Sequence, residues 1–350
     1  MDSRKRTLLI LGIAAVALIA FAALALHRQQ AESSHRYVSE TFFPGFASHV
    51  REVARIHVVS KANGAFDVVF KPEKGWVIPS RNDYPASFEK VLRTLVGLAT
   101  LQTIEPKTAR PDWLSYLGLD SPSTGGKGVL IEAFDEKGNA LASVIVGNGI
   151  DIGDVSGQVG LYIRKPDSTQ SYLARGVLEP ASDPADWMDK TVMDIDRARI
   201  READIEPEDG TPYVVLRDKP SDPDFHLEQI PRGREAANAA VADDVAASIV
   251  GFSFDDIRAA KDFDFSKTSR LVTKTFDGLT VTVLLIRQGA DNWAEVEAEA
   301  APGNAAAGAE ARAIDAHANG WAYKLPAYKA QQFMISIESL LKPVGAKAKP

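Results

Sequence analysis

Thr7–Leu26 (TLLILGIAAVALIAFAALAL) is a run of twenty residues with no charge and no Asn, Gln or Pro. At about 1.5 Å per residue a helix of that length spans roughly 30 Å, the thickness of a bilayer's hydrocarbon core. Eleven of the twenty are Leu, Ile, Val or Phe. Each contributes about −0.3 to −0.6 kcal/mol at mid-membrane, so insertion is favourable by roughly −3 to −7 kcal/mol. Arg4, Lys5 and Arg6 directly precede the run, and such a basic cluster stays on the cytoplasmic side. The expected layout is a cytoplasmic N-terminus at 1–6, a membrane span at 7–26 and a juxtamembrane linker at 27–49, with the rest of the chain exported. A cleaved signal peptide is the competing reading, because Ala23-Leu24-Ala25 has the small-x-small pattern of a cleavage site. The apolar run exceeds the roughly 7–15 residues of a signal h-region, which favours retention.

Export agrees with the absence of cysteine from all 350 residues, which excludes disulfides, thiolate metal sites and a cysteine nucleophile. The formal net charge is −7. Residues 1–28 carry four basic side chains against Asp2, leaving −10 on the remainder. Nucleic acid and anionic lipid need a basic footprint, so neither is expected as the main partner of the exported part.

Beyond the linker, local patterns recur in one order. Val53–Val59, Phe66–Phe70 and Trp76–Ile78 read as strands, and Pro85 then opens a helix at Ala86–Leu101 with Phe88, Val91, Leu92, Leu95, Val96 and Leu98 at three- and four-residue spacings. Val129–Phe134 and Ala140–Val146 flank a turn at residues 135–139, and Leu161–Arg164 and Ser171–Leu173 add shorter strands. In the second half Arg199-Ile200, Tyr213–Leu216 and Phe225–Leu227 stand where Arg55-Ile56, Phe66–Val69 and Trp76–Ile78 stood. Val91, Leu95, Val96, Gly97 and Leu98 align with Val245, Ile249, Val250, Gly251 and Phe252.

The expected fold class is therefore α+β: an N-terminal transmembrane helix followed by two tandem duplicated units of antiparallel strands, at 50–185 and 190–342, each packed with one amphipathic helix. Glu179–Asp189 suits an exposed connector, with its Trp187 expected to dock on another part of the protein. Residues 290–319, mostly Ala, Glu, Gly and Asn, read as a flexible insertion, with a short surface helix at Ala305–Ala318 as the alternative. A helical face is expected over Tyr328–Leu341, and residues 343–350 form the tail.

Constellations for chemistry are sparse. The six histidines, at 27, 35, 49, 57, 226 and 317, include no i, i+4 pair of the zinc-binding kind. Gly251-Phe252-Ser253-Phe254-Asp255 lacks the second glycine of a nucleophile elbow. Gly147-Asn148-Gly149 is not followed by a helix, as a phosphate loop requires. Asp262, Asp264 and Ser266 lack the Gly and distal Glu of a calcium loop, and the neighbouring carboxylates Asp243-Asp244 and Asp255-Asp256 diverge by about 100° on a helix. No catalytic residue, metal ligand or cofactor is expected. Trp76, Tyr84, Trp113 and Tyr116 flank the first helix and are the candidate binding-face aromatics, for a glycan or peptide; closing a core is the plainer role for such residues.

Trp76, Pro85-Ala86 opening a Leu/Val-rich helix, the stretch Tyr116-Leu117-Gly118-Leu119-Asp120-Ser121-Pro122, Val146-Gly147, Tyr162 and the segment from Trp187 to Ile195 together resemble the bacterial DUF4340 domain family, over about residues 50–340. The resemblance implies no catalytic residues. It implies a single-pass protein of the bacterial inner membrane with a periplasmic C-terminal region. It also implies an accessory or scaffold role beside ABC-type transport subunits; a periplasmic glycan- or peptide-binding protein is the alternative.

Overall fold

The computed structural model describes residues 38–153, 159–208, 210–237 and 240–345. The expected membrane span at 7–26 lies outside the described residues. Among those described, no helix is long and apolar enough to cross a membrane.

Among the described residues ten strands precede residue 177: β1 (Glu40–Thr41), β2 (Val53–Ser60), β3 (Gly64–Lys71), β4 (Gly75–Ile78), β5 (Tyr84–Pro85), β6 (Gln102–Pro106), β7 (Val129–Asp135), β8 (Ala140–Ile150), β9 (Val159–Arg164) and β10 (Ser171–Gly176). Ten follow: β11 (Ile200–Glu206), β12 (Tyr213–Leu216), β13 (His226–Leu227), β14 (Arg234–Ala236), β15 (Asp256–Ala259), β16 (Ser269–Thr275), β17 (Leu279–Gln288), β18 (Asp291–Ala300), β19 (Trp321–Leu325) and β20 (Leu341–Pro343). The helices are α1 (Phe46–His49), α2 (Phe88–Thr100), α3 (Ala240–Ala246), α4 (Ala305–Ala318), α5 (Ala327–Phe333) and α6 (Ile337–Leu340).

Two compact units divide the described residues: those within 38–53, 58–64 and 93–180 form one, and those within 54–57, 65–92 and 181–345 the other. In the first, the strands run β1-β6-β10-β9-β8-β7. The β7–β8 turn is closed by Asp135, whose Oδ1 accepts from the N–H groups of Lys137 (2.9 Å) and Asn139 (2.8 Å), with Gly138 at φ 84°. The inward face carries Ile131 and Ala133 from β7 and Ala142 and Val144 from β8, the alternation that a half-buried strand requires. The part of α2 that belongs to this unit, from Arg93 on, buries Leu95 and Leu98. A Cβ at its Gly97 would lie 2.9 Å from the Leu178 Cα, so the bare glycine lets that segment cross at backbone distance.

The second unit holds the β3-β4-β5 ladder, an eight-stranded sheet in the order β13-β12-β11-β16-β17-β18-β19-β15, and the β14-β20 pair. Its longest ladder joins β17 and β18, from Leu279↔Ala300 to Gln288↔Asp291. α4 starts at Asn304, whose side chain accepts from the Ala307 N–H at 3.0 Å, a side-chain N-cap. It is tied to β18 through Ala298 N–H and Asp315 Oδ1 at 2.8 Å.

The molecule is mostly antiparallel β-sheet, and the second unit takes residues 54–57 and 65–92 as well as the described residues after 180, so the α+β class with two tandem duplicated units does not hold. Nor does each unit have one helix: α3 is seven residues with a 3₁₀ turn after it, beside the fourteen-residue α4. Periodicity identifies strands but not their partners, and pairing across long sequence separations decides the topology. Residues 290–319, expected as a flexible insertion, supply β18 and α4. In β18 Trp293, Ala294, Val296 and Ala298 are buried while Glu297 and Glu299 are exposed, and α4 buries Ala307, Ala311, Ile314 and Ala318. Alanine is small enough for a helix to lie close on a sheet, yet its weak hydrophobicity hides the stripe. The expected helical face at 328–341 is split into α5 and α6.

Candidate functional site: an exposed aromatic platform

Between β6 and β7 the chain forms a 3₁₀ helix, Pro111–Leu117, and a shorter one, Pro122–Thr124. Pro111 sets the entry φ. Gly118, at φ 70°, ends the helix, with its N–H donating to Ser115 O at 3.2 Å. Seven residues is long for a 3₁₀ helix, whose three-residue period eclipses side chains at i and i+3. Leu114 and Leu117 accordingly share the inward side, where Leu114, Leu119 and Ile145 form a buried cluster backed by Leu117, Leu130 and Tyr162. Trp113 and Tyr116 share the outward side, at 51% and 79% exposure, one turn or about 6 Å apart along the axis.

The platform beneath them is built from residues that tolerate no side chain or that cap backbone. A Cβ at Gly118 would meet Asn148 Oδ1 at 2.6 Å, and one at Gly147 would collide with Leu117 O. Asn148 Nδ2 donates to Tyr116 O at 3.2 Å. Gly147 and Asn148 lie in β8, where its register with β9 shifts between Val146 and Gly149; this bulge receives the 3₁₀ helix. Arg164, 6% exposed, donates through Nε to Leu119 O at 2.8 Å and through Nη1 to Lys165 O (3.0 Å), Pro166 O (2.9 Å) and Ser168 O (3.2 Å). Burial lowers its pKa, with the Asp120 charge opposing, and these carbonyls replace lost water. Thus Tyr116–Pro122, Val146-Gly147 and Tyr162, which look distinctive in the sequence, form the support that leaves Trp113 and Tyr116 outside the core.

Those two rings border a groove of about 800 Å³ lined also by Pro106, Lys107, Arg110 and Leu117. Arg110 lies over the Trp113 ring at 5.1 Å and makes a two-point pair with Asp112 at 2.7 and 3.2 Å. Lys107 Nζ is 2.9 Å from Glu105 Oε2, and Thr108 Oγ1 accepts the Arg110 backbone N–H at 3.0 Å. The groove combines exposed aromatic area with charges already paired among themselves.

The other two candidate aromatics are elsewhere. Trp76 faces Phe70 across β3–β4, ring centroids 5.7 Å apart. Tyr84 is fully buried among Trp321 (5.2 Å), Phe254 (5.9 Å), His317 (6.1 Å) and Tyr323 (6.4 Å), and its hydroxyl donates to Asp189 O at 3.0 Å. Burial pushes its phenol pKa far up. It is a core residue.

Sequence reasoning missed a second polar cluster, because its members are about seventy positions apart. Lys274 of β16 donates to Glu202 Oε1 (2.5 Å) and Asp204 Oδ2 (2.8 Å) of β11. Burial raises Asp204, whereas in Glu202 the bonds to Lys274 and Asp204 outweigh burial and the carboxyl is held low. The alternating charges of Arg201-Glu202-Ala203-Asp204 were the available signal. Arg201 also pairs with Glu202 at 3.1 Å, so the cluster is a cross-strand ion-pair network. Among the described residues no group of His, Asp and Glu is placed to hold a metal ion.

Residues 76–272 match the family model described as "Domain of unknown function (DUF4340)". No curated protein matches the chain, and no solved structure does.

Proposed function

The chain belongs to the DUF4340 family, described as a domain of unknown function, and we propose from the site itself that it is a non-catalytic accessory or scaffold subunit. In this reading it is held at the bacterial inner membrane through residues 7–26, with its remainder in the periplasm, and binds another envelope protein. The setting implied by the family resemblance is an ABC-type transport complex. One observation supports this most: Trp113 and Tyr116 stay exposed on a rigid buried support, although each ring would bury roughly 150–250 Å² of surface in a core. Trp, Tyr and Arg are the residues that most often anchor protein interfaces, and all three border this groove.

A glycan-binding role draws support from the same rings. It draws less from the polar lining, since the side chains of Glu105, Lys107, Thr108 and Arg110 are engaged internally and sugar hydroxyls need free partners. The test is affinity purification of the full chain from detergent-solubilised membranes. ABC-transport subunits are expected in the eluate; a chain recovered alone that turns over an envelope substrate overturns the proposal.

A further inference from the structure

Resting on that reading of the groove, we infer that its ligand is an extended polypeptide segment of the partner protein, added as a strand to the open edge of β6. The edge is visible in the register. On one side β6 is laddered to β10 as far as Tyr172↔Pro106. On the other, among the described residues, β1 covers it at Glu40↔Thr103 and Thr41↔Gln102, so Ile104, Glu105 and Pro106 extend past the last described pair. Ile104 has a partner in neither register; it is the extra residue at the β6–β10 irregularity between Leu173 and Ala174. The chain's own described residues do not continue the pairing, because Ser39 and Val38 fall outside the strand and Val38 is 72% exposed.

Glu105 and Pro106, on that open stretch, also line the groove with Trp113 and Tyr116. A main-chain edge beside aromatic walls is the arrangement in which backbone hydrogen bonds hold an added strand and pockets read its alternate side chains. Charge points the same way. Lys107 and Arg110 are matched by Glu105 and Asp112, which leaves a neutral groove suited to an uncharged, apolar segment rather than a strongly charged ligand. Pro106 brings no N–H to the edge and the irregularity at Ile104 bends it. Both features discourage open-ended pairing between identical chains, so the edge suits one short strand placed end to end with β1.

The probe is a phage-displayed library of random dodecapeptides selected on the full chain in detergent micelles, with selected peptides measured by fluorescence anisotropy. Single N-methyl groups are then walked along the best peptide. Strand addition predicts a period of two: methylation of amides facing β6 weakens binding about tenfold, whereas the intervening amides change it less than about threefold. W113A and Y116A should each weaken binding at least about tenfold while unfolding at the wild-type denaturant concentration. A flat N-methyl profile overturns strand addition, and does not touch the accessory-subunit reading if transport subunits still co-purify. Failure to select any peptide dependent on Trp113, binding of a glycan panel instead, or peptide binding only after deletion of residues 27–37 each overturns the inference.

Discussion

Tyr84 and Trp113 belong to one residue class and lie close together in the sequence, yet they have opposite surroundings. Around Tyr84, strand β5 delivers the ring into a cluster with Phe254, Trp321 and Tyr323, and its hydroxyl is bonded to a backbone carbonyl. Around Trp113, a 3₁₀ turn sends Leu114 inward and leaves Trp113 and Tyr116 outward. Both groups are held rigidly, but only one uses its aromatic area for packing. An aromatic residue is thus informative about binding when the backbone period keeps it out of the core and the support beneath it is complete without it.

The comparison can be broken at its supports. The largest effect is expected from Arg164→Met, which strips four backbone carbonyls of their donor. Leaving buried polar groups unpaired makes this worth about 3–5 kcal/mol, read as a lower denaturant midpoint. Tyr84→Ala should cost a similar amount, about 3–5 kcal/mol, through the cavity. Tyr84→Phe, which keeps the ring and removes the hydroxyl that bonds Asp189 O, should cost about 0.5–1.5 kcal/mol. If the two Tyr84 variants are equally mild, the ring is not core.

Gly118→Ala sharpens the contrast from the other side. The positive φ and the approach of Asn148 predict a loss of about 1–2 kcal/mol together with weaker partner binding, because the 3₁₀ helix has to shift.

The smallest effect is expected at Asp83, the residue before Tyr84, where Lys71 and Lys74 reach the carboxylate at 2.7 and 3.1 Å. The Lys71 hydrogen bond, opposed by partial burial, lowers the Asp83 pKa below its ordinary value. Stability from a depressed carboxyl is fully present above its unfolded pKa of about 3.9 and is lost as pH falls through the folded value. Asp83→Asn should therefore change stability at neutral pH by less than about 1 kcal/mol and flatten the acid limb of the profile below about pH 4. An acid limb identical to wild type would remove the pair from the account.

Much of the local structure was legible in the chain. β2, β3, β7 and β8 follow period-two hydrophobicity, α2 follows the three- and four-residue spacing of Val91, Leu95 and Leu98, and Asp135–Asn139 is a turn by composition. Topology was not legible: matching local patterns in the two halves suggested tandem units, but which strands pair depends on contacts between distant residues. The Ala/Glu alternation of β18 was readable as a strand, and its low hydrophobicity concealed it. In the candidate site, Trp113 and Tyr116 were legible as aromatics flanking the first helix, alongside Trp76 and Tyr84. Pro111 and Gly118 bound a segment short enough to be 3₁₀, which would have grouped those two rings together and apart from Tyr84 and Trp76. The Arg164 clamp carried no such sign, since its partners are backbone carbonyls.

The central claim is that Trp113 and Tyr116 are kept exposed for a partner and contribute little to folding. The most direct measurement compares the full-length double variant W113A/Y116A with wild type in two readouts, the denaturant midpoint and co-purification from native membranes. Exposed side chains outside the core predict a stability change within about 0.5 kcal/mol, with loss of the co-purifying transport subunits. A large drop in midpoint would make the pair structural after all, and unchanged co-purification at wild-type stability would contradict the groove as the binding surface.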